Sequence, residues 1–207
     1  KTAGLSLQGL ARRRYKKPNA LELVYSQDTV EEGFKDRPEL KTVMGHYRFG
    51  YHQFSEKPFR YFAFLREPVA HVVSHYNYTF DHPERFKYLP KDIKSIVEFA
   101  QCPYGYNLQT RFISGIEDIK GKEKEALQIA KENLLRYFDI IGLTEEFDLS
   151  LLMMGKALDW NILYYVRENT GIKKKKNKPT ESELQQIEKL NQCDIELYEF
   201  AKMLVNN

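Results

Sequence analysis

The chain has 207 residues, 42% of them apolar, 29% charged and 14% aromatic, with a formal net charge of +3. That length supports one sizeable core and is most simply a single domain. Charges of both signs spread along the chain argue against a nucleic-acid partner. No run of eighteen or more apolar residues provides a membrane span.

The opening KTAGLSLQGLARRRY sets a lysine and a small hydroxyl residue ahead of Ala-Gly and a basic, leucine-bearing helix. It reads as the second half of a phosphate-binding loop, the amides of Thr2 to Ser6 cradling an anion beside Lys1, or as a plain basic terminus. LELVY (21–25) is an expected strand. Thr42 to Met44 is expected as a short buried strand that Gly45 ends, presenting His46 immediately after it. A histidine there suits a general base, or else a hydrogen-bonded structural group. His52 reads first as structural.

Phe59 to Leu65 is aromatic and apolar apart from Arg60, the pattern of a strand buried on both faces. Glu67 and Pro68 then open a helix on which Val69, Val72, Val73 and Tyr76 recur at helical spacing. Arg66 is therefore expected at the carboxyl end of a strand, with Ser74 two turns into the helix and facing the same crevice. A guanidinium and a hydroxyl beside a helix N-terminus suit a phosphate; the alternative at such a junction is a surface ion pair. His71 and His75 are expected to be solvated or capping groups.

Residues 81–90 read as a loop over the crevice. Helices at 93–101 and 106–114 follow, the second carrying Asn107, Gln109 and Arg111, which suit either a hydrophilic acceptor or an ordinary amphipathic face. Residues 121–137 form a helix with Ala126, Leu127, Ala130, Leu134 and Leu135 on one face. Phe138 to Leu143 is a strand, Thr144-Glu145-Glu146 a helix start, and 147–160 a buried helix in which Met153 and Met154 fill core. Ile162 to Val166 is an expected last strand, and the basic run 171–179 is either solvated or able to close on a polyanion. Helices at 180–190 and 194–205 end the chain. Cys102 and Cys193 lie far apart without metal-ligand spacing, as two buried thiols or one disulfide. Strands alternating with helices give an α/β class with a central parallel sheet flanked by helices.

Taken together, KTAGLSL, VMGH, FAFLREPVAHVVSHY, NLQTR, IGLTEEFD and DIELYEFA resemble the sulfotransferases that use 3′-phosphoadenosine 5′-phosphosulfate (PAPS). The resemblance is greatest to the carbohydrate branch, with the uronosyl 2-O-sulfotransferases and their bacterial relatives. It covers nearly the whole chain, and its specific part is the pairing of a Lys-Thr-x-Gly-x-Ser loop with Arg66 eight positions before Ser74.

The resemblance implies a P-loop-like sulfotransferase fold over residues 1–207 as one domain, with the strand before the loop lying upstream of residue 1. It implies that Lys1 assists the leaving group and, with Thr2, Ala3, Gly4, Leu5 and Ser6, holds the 5′-phosphosulfate. Arg66 and Ser74 would bind the 3′-phosphate, His46 would be the catalytic base, and Lys174, Lys175 and Lys176 would cover the nucleotide. Arg48, His52, Asn107, Gln109 and Arg111 are candidates for touching the acceptor. The reaction implied is in-line transfer of a sulfuryl group from PAPS to a hydroxyl of a glycan, with no metal. Glu67 stands where the family more often has Asp. Few cysteines and many lysines point to a bacterial cytoplasm, with the Golgi lumen as the alternative. Two rival readings differ in kind. A P-loop nucleotide kinase or ATPase needs a Mg²⁺-binding Asp at the strand end that Arg66 occupies, and a non-catalytic module for sulfated glycans would bind without nucleotide.

Overall fold

The computed structural model of the chain describes residues 4–15, 20–22, 34, 40–83, 89–90, 93–160 and 178–206. In chain order these form α1 (Gly4–Arg14), β1 (Ala20–Glu22), β2 (Thr42–Met44), a 3₁₀ turn (Tyr51–Phe54), β3 (Tyr61–Leu65), α2 (Pro68–Asp81), α3 (Ile96–Gln101) and α4 (Leu108–Ser114). There follow α5 (Glu123–Tyr137), β4 (Phe138–Leu143), α6 (Phe147–Leu158), α7 (Glu181–Leu190) and α8 (Gln192–Val205). Of the expected strand at 21–25, residues 21 and 22 fall in β1 and the rest lie outside the described residues, as do the expected strand at 162–166 and residues 171–177 of the basic run 171–179.

The class is mixed α/β, as the alternation of patterns requires. The expected single central sheet is instead, among the described residues, two separate parallel pairs, β1–β2 and β3–β4. β3 and β4 turn alternate side chains to opposite faces. Leu65, Ile141 and Leu143, with Ala63 at their edge, pack against α4, α5 and α8. Phe62, Phe64 and Ile140 pack with Leu10 and Ala11 of α1, Met44 of β2, and Phe147, Leu151 and Met154 of α6. Helices thus cover both faces of the β3–β4 pair. Gly142 makes the second face possible, since a Cβ there would lie 2.7 Å from the Phe64 ring.

α2 begins where Glu67 and Pro68 place it. The Glu67 carboxylate accepts from the N–H of Val69 at 3.0 Å and of Ala70 at 2.6 Å, with Pro68 in the first turn. Its far side packs Val72 and Tyr76 against Ile96, Phe99 and Ala100 of α3 and Ile187 of α7. Thr180 and Glu183 form a reciprocal capping box that starts α7.

Several sequence expectations are corrected in detail. β3 is half-buried except at Leu65, and β2 is half-buried throughout, because neither pair is enclosed by further described strands. On α5, Leu135 is 61% exposed. Asn133 is the inward residue, its amide donating to the Ile113 carbonyl at 2.9 Å. α6 is amphipathic and not wholly buried, with Leu149 and Leu152 exposed. Cys193 is buried, Cys102 half-buried, and both are free thiols.

Candidate functional site

β3 and β4 are parallel and end in register at Leu65 opposite Leu143. The residues after them, Arg66 and Thr144-Glu145, therefore leave the sheet side by side at its carboxyl edge. The Leu65 carbonyl accepts from both the N–H and the hydroxyl of Thr144, at 2.8 and 3.0 Å. Thr144 thus fastens two strand ends together, while the α6 N-cap is Glu146.

Arg66 is held by its backbone. Its N–H donates to Gln109 Oε1 at 2.8 Å and its carbonyl accepts from Gln109 Nε2 at 2.9 Å, so one amide side chain brackets one peptide. Gln109 is itself anchored, because its N–H donates to Asp194 Oδ2 at 3.1 Å. Asp194 also accepts from the Thr110 N–H and hydroxyl at 2.7 Å each. Beside it, Asn107 adopts a left-handed conformation with φ of 41°. Its N–H donates to Asn191 Oδ1, its Nδ2 to the Leu190 carbonyl, and its Oδ1 accepts from the Asp194 N–H. The stretches NLQTR and DIELYEFA therefore converge on the turn that carries Arg66.

The charges around this turn are mixed. The Arg66 Nε lies 3.9 Å from Glu145 Oε1, with the Arg66 side chain 26% exposed. Glu145 also accepts from the Glu67 N–H at 3.2 Å and from the Tyr198 hydroxyl at 2.8 Å. Burial, and then the carboxylate it donates to, pushes the Tyr198 phenol far up from its ordinary value. Glu67 occupies the N–H groups of Val69 and Ala70, so at this helix N-terminus those amides are already met by a carboxylate.

His71 corrects an expectation. It is 6% exposed, not solvated, and its proton affinity lies well below the ordinary histidine value. The cause is first burial and then the charge of neighbouring groups, the Arg66 guanidinium among them. The His71 and His75 rings are 6.0 Å apart on α2, and Ser74, three positions from His71, shares that helix face. His46 follows β2 and is exposed.

The sign of the His71 shift sets a pH dependence. A depressed folded-state pKa means that the unfolded chain takes up a proton the folded chain refuses, so the contribution is full above 6.5 and is lost on acidification. The denaturation midpoint is expected to fall as pH drops from about 7 to about 5, and His71→Gln is expected to flatten that fall. An identical slope in the two proteins would remove His71 as its cause.

The remaining candidates separate. Arg48 pairs with Glu117 at 3.1 Å, and Arg111 donates to the carbonyls of Glu117 and Pro103. Asn107 and Gln109 are buried and engaged within the chain. His52 sits at the amino end of β3, away from Arg66, where its Nδ1 lies 2.8 Å from the Tyr61 hydroxyl and its ring stacks on Phe59. Gly4, Leu5 and Ser6 form the first turn of α1, with Ser6 buried. Lys1, Thr2, Ala3, Lys174, Lys175 and Lys176 lie outside the described residues. Among the described residues no helix is long and apolar enough to cross a membrane, and no three His, Cys, Asp or Glu side chains gather to hold a metal. The residues that sequence reading did not single out are Glu145, Asp194 and Tyr198. For Glu145 a signal existed, in its place two positions past the end of a strand.

No family model matches the chain. Over 122 residues it is 30% identical to heparan-sulfate 6-O-sulfotransferase 2 of Gallus gallus, a match that covers 53% of this chain and 30% of that protein. The chain thus spans under a third of the relative's length, and the likeness supports a relationship to carbohydrate sulfotransferases at family level without reaching a particular branch.

Proposed function

We propose that this protein transfers a sulfuryl group from PAPS to a hydroxyl of a carbohydrate, with Arg66 and Ser74 holding the 3′-phosphate of the donor and His46 serving as base. The observation that carries the reading is Arg66, its backbone bracketed by Gln109, leaving the carboxyl edge of a parallel strand pair just ahead of α2, the helix that bears Ser74. That is where α/β folds place ligands, and the partial likeness to a sulfotransferase supports sulfuryl transfer as the chemistry. A nucleotide kinase would need an acidic metal ligand at the strand end, where this chain has Arg66.

PAPS supplies a sulfuryl group activated by its phosphate leaving group. Arg66 fits the 3′-phosphate because its bracketed backbone gives the guanidinium a fixed origin. Ser74 adds a hydroxyl donor from the next helix. His46 accepts the acceptor's proton as the new oxygen–sulfur bond forms and the bond to phosphate breaks. The resemblance assigns the leaving oxygen to Lys1, the rest of the 5′ cradle to Thr2 through Ser6, and nucleotide cover to Lys174, Lys175 and Lys176. Stabilisation of charge on fixed groups does most of the work in such displacements.

The test is calorimetric titration with adenosine 3′,5′-bisphosphate. The wild-type chain should bind, and Arg66→Ala should lose about 1.5 to 3 kcal/mol, roughly tenfold to a hundredfold in affinity. A folded chain that does not bind this ligand ends the proposal.

A further inference from the structure

We infer that Glu145 is a positioning residue for Arg66 and that Tyr198 of α8 holds Glu145 in place, so that the C-terminal helix sets the direction of the guanidinium. The inference rests on the reading of Arg66 as the 3′-phosphate ligand.

Glu145 is partly exposed, with its side chain 39% accessible, and an exposed carboxylate usually wanders. Here both oxygens are engaged. Oε1 accepts from the Glu67 N–H at 3.2 Å and faces Arg66 Nε at 3.9 Å, while Oε2 accepts from the Tyr198 hydroxyl at 2.8 Å. Tyr198 is a rigid donor, since its ring is buried in the core with Leu65, Leu143 and Leu197. Glu67 N–H is equally fixed, being one residue beyond the bracketed Arg66 peptide. The carboxylate is therefore clamped between a phenol from α8 and a backbone amide from the β3–α2 turn, and it meets Arg66 from the β4 side. An exposed ion pair at this distance contributes little to stability. Its consequence is directional: it draws the Nε side of the guanidinium toward β4.

Two effects of removing the charge have opposite signs, and that makes the inference testable. By field alone, neutralising a carboxylate beside an anion site strengthens binding of a phosphate. By positioning, it releases the guanidinium and weakens binding. In Glu145→Gln and in Tyr198→Phe, which keeps the packed ring, affinity for adenosine 3′,5′-bisphosphate is expected to fall about tenfold, the scale of one displaced charge-assisted contact. Affinity for adenosine 5′-monophosphate, which lacks the 3′-phosphate, is expected to stay unchanged. Tighter or unaltered binding of the bisphosphate by Glu145→Gln, or equal weakening of both nucleotides, overturns the inference.

If the wild-type chain does not prefer the bisphosphate over the monophosphate, the sulfotransferase reading fails first. The tether is then judged by the ¹⁵Nε order parameter of Arg66. A rigid Nε in the wild type that becomes mobile in Glu145→Gln sustains it, and equal order in both proteins overturns it.

Discussion

Replacing His46 by alanine is expected to lower the rate of sulfuryl transfer by on the order of 10² to 10⁴-fold while the affinity for adenosine 3′,5′-bisphosphate stays as it was. His46 is exposed just beyond β2, so its truncation removes no core packing and the melting temperature should not move. Its proposed work is confined to the step in which the acceptor hydroxyl loses its proton. Binding of the donor product draws on Arg66 and Ser74, which His46→Ala leaves in place. Added imidazole should restore part of the lost rate, because a free base can enter an exposed site that a small side chain has vacated. A variant that turns over as fast as the wild type sinks the assignment of His46 as base. A variant that loses nucleotide affinity and rate together would instead make His46 a binding group.

The Arg66 turn is legible in the sequence because each of its parts is local. An aromatic run ends at an arginine, and Glu-Pro then opens a helix whose cap the glutamate supplies. α5 and β4 are legible from periodicity, and the start of α7 from a capping box close in sequence. What surrounds Arg66 is not legible, because it is made of long-range pairs. Polarity alone does not distinguish a side chain that faces water from one that satisfies a distant backbone group. Gln109 and Asn107 read as acceptor-binding candidates and are instead buried against Arg66, Leu190 and Asn191. Thr144 reads as the start of a helix, and only the register of β3 with β4 turns its hydroxyl to Leu65. His71 reads as solvated, since nothing nearby in sequence shows that its face of α2 is enclosed. The resemblance pointed to DIELYEFA without saying what it does, and the structure gives two of its residues work to do, Asp194 beneath Gln109 and Tyr198 beneath Glu145.

Asp194→Ala is expected to cost about 3 to 5 kcal/mol of stability, since it takes the acceptor from three buried donors at roughly 1 to 3 kcal/mol each. For a chain of this size that is roughly 6 to 20 °C in melting temperature. The carboxylate is 1% exposed and is the acceptor for the N–H groups of Gln109 and Thr110 and for the Thr110 hydroxyl. Without it, three donors at the start of α4 are left buried and unmet. Burial raises the Asp194 pKa above 3.8 although those donors oppose the rise. A raised folded-state pKa contributes stability below 3.8 that is lost as pH rises through the folded value. Asp194→Asn keeps an oxygen for both Thr110 donors, loses the Gln109 N–H partner and carries no charge to desolvate. It should cost less than alanine, and the wild-type advantage over it should shrink with rising pH across that window. Because Asp194 holds Gln109 and Gln109 brackets Arg66, the alanine variant should also bind adenosine 3′,5′-bisphosphate more weakly at temperatures where it remains folded. A variant that melts with the wild type would show that these buried donors find other partners, and the chain of support from α8 to Arg66 would then have no physical basis.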